Sequence, residues 1–228
     1  MGGSVDERLG SAIMRLVAGG EPERLPRHRH DLTRDQVREA QTTRIVAAAI
    51  ELFADRGFAN TTVQQIAERA AVSRKTFYQF YGSREAVFVD AYAAAVRVLI
   101  TASGGNEPTG LPSDPRAVVV AGVERTLGVL ASEPAATRVF FLEALGAGPA
   151  IRARRNEAIG EFVAALVPLA TALGAGPNAD DGDATMGMHV AVAACIELIT
   201  EHVGVSPPET LDRIGPTLVH AITSVLRL

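Results

Sequence analysis

Apolar residues recur at helical spacing along most of the chain, and no stretch shows the two-residue alternation of a half-buried strand. Between Arg34 and Arg56 the positions Val37, Ile45, Ala48, Ala49, Leu52 and Phe53 share one face, and Gly57 supplies a stop. A long amphipathic helix is predicted there. Thr62-Val63-Gln64-Gln65 has the form of a capping box, in which the Thr hydroxyl and the Gln side chain satisfy each other's free backbone amides. A second, short helix is therefore expected to run to about Arg69, with Val63, Ile66 and Ala67 inward. Ala70-Ala71-Val72 turns the chain, Ser73 is placed to cap a third helix through Phe80, and Gly82 ends it. Ser83 is placed to cap a fourth, on which Phe88, Ala91, Tyr92, Ala95, Val98 and Leu99 share a stripe.

Residues 104–115, rich in Gly, Pro and polar side chains, read as a loop. Further helices are expected to begin at Pro115, Pro134 and Pro149, since a proline's missing amide costs nothing in a first turn. Loops at residues 146–148 and 174–182 divide them. A helix over residues 183–203 is apolar nearly all round, and one from Pro208 to Leu226 carries a seam of Leu211, Ile214, Leu218, Ile222 and Val225. Pro168 and Pro216 fall inside helical patterns, so kinks are expected there. Ahead of all this, residues 5–17 read as a short amphipathic helix and residues 24–30 (RLPRHRH) as an extended basic arm. The fold expected is all-α: an N-terminal three-helix helix-turn-helix domain and a larger helical domain, about nine helices plus an N-terminal extension. Its boundaries are read as 1–33 for the extension, 34–82 for the helix-turn-helix domain, with the motif at about 62–81, and 83–228 for the rest.

Composition supports helices over strands. Aromatics make up 5% of the 228 residues and Trp is absent, so the core must be built from Ala, Val, Leu and Ile. Charge adds a polarity along the chain. The formal net charge is -4, but residues 24–84 hold 11 Arg/Lys against 6 Asp/Glu, or +5, leaving (22 - 11) - (26 - 6) = -9 elsewhere. A basic, polyanion-binding module on an acidic body is one reading; chance segregation is the other. The single cysteine, Cys195, rules out an intramolecular disulfide and a multi-cysteine metal cluster, and its neighbours Val192, Ala193, Ala194 and Ile196 suggest core packing. The start of the chain lacks a sustained apolar run and residues 186–199 are too short to span a bilayer, so a cytoplasmic protein without a membrane partner is expected.

Two short helices joined by a tight turn, the second bearing outward polar side chains, are what reading a DNA major groove requires. With Ile66, Ala67, Val72 and Phe77 locking the pair together, Arg74, Lys75, Thr76, Tyr78 and Gln79 are left outward. Lys75 is the one lysine beside 21 arginines. Residues 44–53 (RIVAAAIELF), Gly57-Phe58, 62–67 (TVQQIA), 72–81 (VSRKTFYQFY) and 83–86 (SREA) together resemble the DNA-binding domain of the TetR family of transcriptional regulators. The resemblance implies that Arg74 and Gln64 read bases and that Thr62, Thr76, Tyr78 and Arg84 touch phosphates. It makes Lys75 and Gln79 variable positions that tune specificity, with Ser73 and Tyr81 completing the DNA-binding set. Tyr78 also reads as a core aromatic, and Phe80 as core. The arm residues Arg24, Arg27 and Arg29 are candidates for a minor groove or flanking phosphates, or equally for a solvated tail.

Beyond residue 101 the resemblance is one of layout. It implies a homodimer joined through the last two helices, with the seam Leu211, Ile214, Leu218 and Ile222 as interface, and an apolar pocket for a small-molecule effector. Phe140, Phe141, Phe162 and Met188, with Arg138, Glu143 and His189 as polar contacts, are its candidate lining, or else ordinary core and surface. The function implied is a repressor released from a pseudo-palindromic, double-stranded operator by that ligand, with no other cofactor. The rival readings are a helical dimeric ligand-binding or signalling protein without DNA binding, and an enzyme using the C-terminal pocket. Against catalysis stands the lack of a Gly-x-Ser-x-Gly elbow, a His-Glu-x-x-His pair or a phosphate-binding loop. Asp180-Asp181-Gly182-Asp183 lacks the later acidic ligand of a calcium loop, so no metal is expected.

Overall fold

Side-chain caps set most of the helix starts in the computed structural model, which describes residues 33–105, 113–174 and 181–228, the last with backbone alone over 181–183. Thr33 caps α1 (Arg34–Arg56) in a capping box with Gln36, and Thr62 caps α2 (Val63–Arg69) in the expected box with Gln65. Ser73 accepts from the Thr76 amide at the start of α3 (Arg74–Phe80), and Ser83 from the Ala86 amide at the start of α4 (Arg84–Ala102). Asp114 caps α5 (Pro115–Ser132). Each such cap stabilises its helix by about 1 kcal/mol. The expected helix at 5–17, the arm with Arg24, Arg27 and Arg29, and the turn at Asp180 lie outside the described residues.

α6 (residues 134–146) starts at Pro134 as expected but is not regular. Its α-helical ends, Pro134–Arg138 and Ala144–Gly146, flank a π turn at Val139–Glu143. α7 (Pro149–Ala172) carries Pro168 inside it, and α8 (Asp181–Val205) is the longest element. The last expected helix is divided. Pro208–Ile214 forms a 3-10 helix and α9 (Gly215–Leu226) follows, with Pro216 in its first turn. Pro216 thus starts a helix instead of kinking one, because its missing amide is harmless there. Among the described residues there is no strand.

α1 packs on α2, α4 and α6, and α4 runs on to pack against α5 and α7. One core joins Ile45, Phe53, Ile66, Phe77 and Phe88 to Val139 and Ala144 of α6 and Ile151 of α7. Two others lie between α5, α7, α8 and α9. Phe53, Phe58, Phe88, Tyr92 and Phe140 form a continuous run of ring contacts at centroid separations of 5.1 to 6.2 Å. The run leads from the N-terminal helices into the body.

α8 is long enough to cross a membrane by length and composition, which corrects the expectation that this stretch is too short. Packing within the chain accounts for part of that apolarity. The helix lies along α7 and α9 with Met188, Ala191, Val192, Ile199 and Val203 buried, while Glu197 and Glu201 are exposed.

Candidate nucleic-acid interface and effector cavity

The turn between α2 and α3 fixes what α3 presents. Ala71 adopts a left-handed conformation (φ 52°), a backbone state costing a non-glycine residue about 1–2 kcal/mol, and Val72 donates to the Ala67 carbonyl to close the turn. With Phe77 and Ile66 at 0% exposure, α3 is pinned by its inner face. Arg74, Lys75, Tyr78 and Gln79 are then exposed, Tyr78 at 51% with its ring edge-on to Phe77. Among the described residues Arg74, Lys75 and Gln79 make no hydrogen bond or ion pair. Gln64 is exposed on α2, its amide donating to Glu68 Oε1 at 2.9 Å. Thr62 and Ser73 are capping groups, and Thr76 is half-buried with its hydroxyl 2.8 Å from that of Ser73. Phe80 packs into the first core, with the Arg38 guanidinium 4.9 Å from its ring centroid.

Two residues of the expected DNA-binding set turn inward. Tyr81 is buried and its hydroxyl donates to Asp90 Oδ2 at 2.9 Å; burial, reinforced by the negative charge of Asp90, pushes that hydroxyl's pKa well up. Its position nine residues before Asp90 ties α3 to α4, so it cannot also reach outward. Arg84 is taken up by the loop between α1 and α2. One guanidinium nitrogen donates to the carbonyls of Phe58 (2.9 Å), Ala59 (3.1 Å) and Thr61, and the guanidinium lies 4.5 Å from the Phe58 ring centroid. The family resemblance implies a phosphate contact for it; here the loop carbonyls, 23 to 26 residues away, engage one of its guanidinium nitrogens.

Glu143 holds the other side of that loop. From the π turn its carboxylate accepts the Phe58 amide at 2.8 Å, which removes it from the expected pocket lining. Phe58 is thus gripped at its amide by the body and at its carbonyl by α4. Thr61, fully buried, adds hydrogen bonds to the Leu52 and Gly57 carbonyls, a role that sequence reading missed.

A cavity of about 410 Å³ lies between α1, α4, α5, α6, α7, α8 and α9. That volume is in the range of small-molecule sites, and the walls are mostly Ala, Val, Leu and Ile. Phe140, Phe141, Phe162 and Met188 line it. Arg138 and His189 do not; both are exposed, because the faces of α6 and α8 that bear them point to solvent. The polar lining is a different set: Tyr92, Glu133 and Arg155, with Glu51 of α1 and the hydroxyl residues Ser103, Thr126 and Thr137. Burial raises the pKa of Tyr92, against the opposing positive charges of Arg155 and Arg154, and raises that of the Glu133 carboxyl. Cys195 also faces the cavity, its thiol pushed up to about 11 by burial, which makes it an inert wall and not a reactive thiolate.

The expected dimer seam is core. Leu211 and Leu218 are 0% and 2% exposed, and Ile214 and Ile222 pack against the same cluster. A helix that is apolar on one face offers that face first to its own chain, and here the body takes it. The solvent side of these helices consists of Met186 (64% exposed), Val190 (47%), Ala193, Glu197 and Glu201 on α8 and Thr217, His220 and Ser224 on α9.

Comparison with known proteins agrees with this layout. The family described as bacterial regulatory proteins, tetR family, matches residues 45–91. The HTH-type transcriptional regulator EthR of Mycolicibacterium smegmatis is 28% identical over 184 residues, 77% of this chain and 81% of the relative. Among solved structures, the fatty acid degradation regulator FadR of Bacillus halodurans superposes with a TM-score of 0.68 at 17% identity, over 80% of this chain and 94% of that one. FadR of Bacillus subtilis in complex with stearoyl-CoA gives 0.63 at 16% identity, over 80% of this chain and 97% of that one.

Proposed function

Because the chain is a TetR-family DNA-binding regulator of transcription, we propose that it works as a homodimeric repressor that a small effector releases from a pseudo-palindromic operator. Residues 34–82 are the reading head and residues 83–228 the sensing and dimerising body. The observation that carries the reading is the solvent face of α3, where Arg74, Lys75, Tyr78 and Gln79 project together from a helix whose other side is locked by Phe77. A helix presents such side chains to base edges in a major groove, and Arg matches the O6 and N7 acceptors of guanine. Thr62, Ser73 and Thr76 lie at the ends and first turns of α2 and α3, where phosphates would pass; Arg84 and Tyr81 contribute by holding the head together. The site of action is the cytoplasm, where the operator is, and the regulator needs no catalytic step.

Arg74→Ala is expected to weaken operator binding by about 1–3 kcal/mol and to relax the preference at one base pair per half-site. Fluorescence anisotropy against a panel of single-base operator variants measures both. Unchanged affinity and unchanged preference would remove α3 as the reading helix.

The partner protomer is expected on the exposed side of α8 and α9. Met186 and Val190 are large apolar groups left in water by the single chain, and a second copy covers them by two-fold symmetry. Val190→Arg should weaken self-association at least tenfold, about 1.4 kcal/mol, in sedimentation equilibrium, with thermal melting of the monomer little changed. A variant that dimerises like the parent would place the interface elsewhere.

The cavity is the effector site in this reading. Ala47, Ile50 and Glu51 of α1 form part of its wall, so an occupant touches the reading head directly, and Glu51 is ion-paired at 2.6 Å to Arg69 at the end of α2. Tyr92 and Phe140 in the wall continue the ring contacts that reach Phe58. An effector that prefers the arrangement in which two α3 helices no longer match grooves about 34 Å apart lowers operator affinity by that preference alone.

A further inference from the structure

The cavity is apolar over most of its wall, yet it contains a cation that no described residue pairs. Arg154 and Arg155 are neighbours on α7 with different fates. Arg154 is held bidentately by Glu161 at 2.7 and 3.0 Å, and also by Glu157. Arg155 faces the cavity, half-buried, with no hydrogen bond or ion pair among the described residues. On α4, which packs against α7, Tyr92 lines the same space, and its hydroxyl likewise makes no hydrogen bond among the described residues. A guanidinium and a phenol that converge on an apolar cavity form a paired donor set, and a carboxylate is the group that accepts from both.

The acidic groups in the wall do not supply that acceptor. Glu51 is engaged by Arg69 through two contacts, at 2.6 and 2.8 Å. Glu133 makes no ion pair with Arg155, and burial raises the pKa of its carboxyl. The remaining wall offers aliphatic contact, including Val123, Leu166, Leu169 and Val192.

Resting on the reading of this cavity as the effector site, we propose that its ligand is an organic acid with an extended apolar tail, the carboxylate seated between Arg155 and Tyr92 and the tail among the aliphatic side chains of α5, α7 and α8. Three probes of equal chain length separate the head-group chemistries: decanoate, 1-decanol and decylamine, each titrated by calorimetry into the full chain at neutral pH. Decanoate is expected to bind at least tenfold more tightly than 1-decanol, and decylamine most weakly. Arg155→Met should reduce the preference for decanoate over the alcohol to less than threefold, Arg155→Lys should keep most of it, and Tyr92→Phe should lower it several-fold. Melting curves of all three variants are expected to stay close to that of the parent, since neither side chain is held by an internal hydrogen bond.

Equal binding of decanoate and 1-decanol, tightest binding of decylamine, binding of none of the three, or a preference that survives Arg155→Met would each overturn the proposal. Operator release by the same probes is a separate measurement. Decanoate that binds with the stated preference but leaves operator affinity unchanged would remove the effector reading and keep the acid site. Release by decanoate and 1-decanol alike would do the reverse.

Discussion

Replacing Phe77 by alanine will lower the stability of the chain by about 3–5 kcal/mol and abolish operator binding at the same time. Phe77 is fully buried in the first core, contacts Tyr81 at 6.1 Å and Tyr78 at 5.6 Å between centroids, and is the one buried residue of the seven in α3. A helix of two turns does not persist alone in water, so its position depends on this anchor. The loss combines the transfer term with the cavity left behind. Urea unfolding measures the first effect and anisotropy on operator DNA the second. Phe77→Leu, which keeps most of the volume, should recover over half of the stability and a measurable share of the DNA affinity. A loss below about 1 kcal/mol for Phe77→Ala would mean that α3 is held by something other than its inner face.

Arg84→Ala separates two accounts of one residue. The geometry predicts a structural loss of about 2–4 kcal/mol, because three loop carbonyls lose a charged donor and the Phe58 ring loses the guanidinium over it. The side chain is 27% exposed, so water replaces part of the lost hydrogen bonding and the upper figure is a ceiling. Arg84→Lys should restore only part of the loss, since an ammonium can donate to the carbonyls but cannot also lay a planar guanidinium over the Phe58 ring. A residue serving only as a phosphate contact would behave differently. Its removal would leave stability unchanged and reduce the salt slope of DNA binding by about one unit per protomer. Urea unfolding and a salt series on the same preparation decide between them.

The contrast between Arg84 and the rest of the reading head shows which parts of the fold sequence can carry. The starts of α2, α3 and α4 were legible because Thr62, Ser73 and Ser83 act within three residues of themselves, and capping chemistry is local. The prolines at 115, 134 and 149 mark α5, α6 and α7 for the same reason. Arg84 and Glu143 act across 26 and 85 residues on one short loop, and no spacing rule reports that. The same limit hid Tyr81: the family resemblance places it in the DNA-binding set, while its hydroxyl is committed to Asp90, nine residues on.

The last helix failed for another reason. Its apolar stripe was real, but a stripe says only that a face is covered and not by what; Leu211 and Leu218 are covered by their own protomer. The outward residues Thr217, His220 and Ser224 carry no apolar signal, and on α8 the apolar character runs almost all round, so the solvent side with Met186 and Val190 could not be picked out by period. The cavity was legible by half. Phe140, Phe141 and Phe162 stand out in the sequence as large side chains of α6 and α7, whereas Arg155 and Glu133 become lining only through the way the helices assemble around the cavity. No local spacing marks the π turn that carries Phe140, Phe141 and Glu143, yet it is what lets the cavity wall and the Phe58 clasp share one element.

Two copies of α2 and α3 are expected to read specific DNA. Footprinting of the wild-type protein on the DNA upstream of its own gene, with excess random duplex as competitor, is the decisive measurement. The expected result is protection of a pseudo-palindrome whose half-site centres are one helical turn apart, about 34 Å, or a multiple of it, persisting under competition. Protection that spreads evenly and vanishes with random competitor, or none at concentrations that saturate non-specific binding, would contradict it.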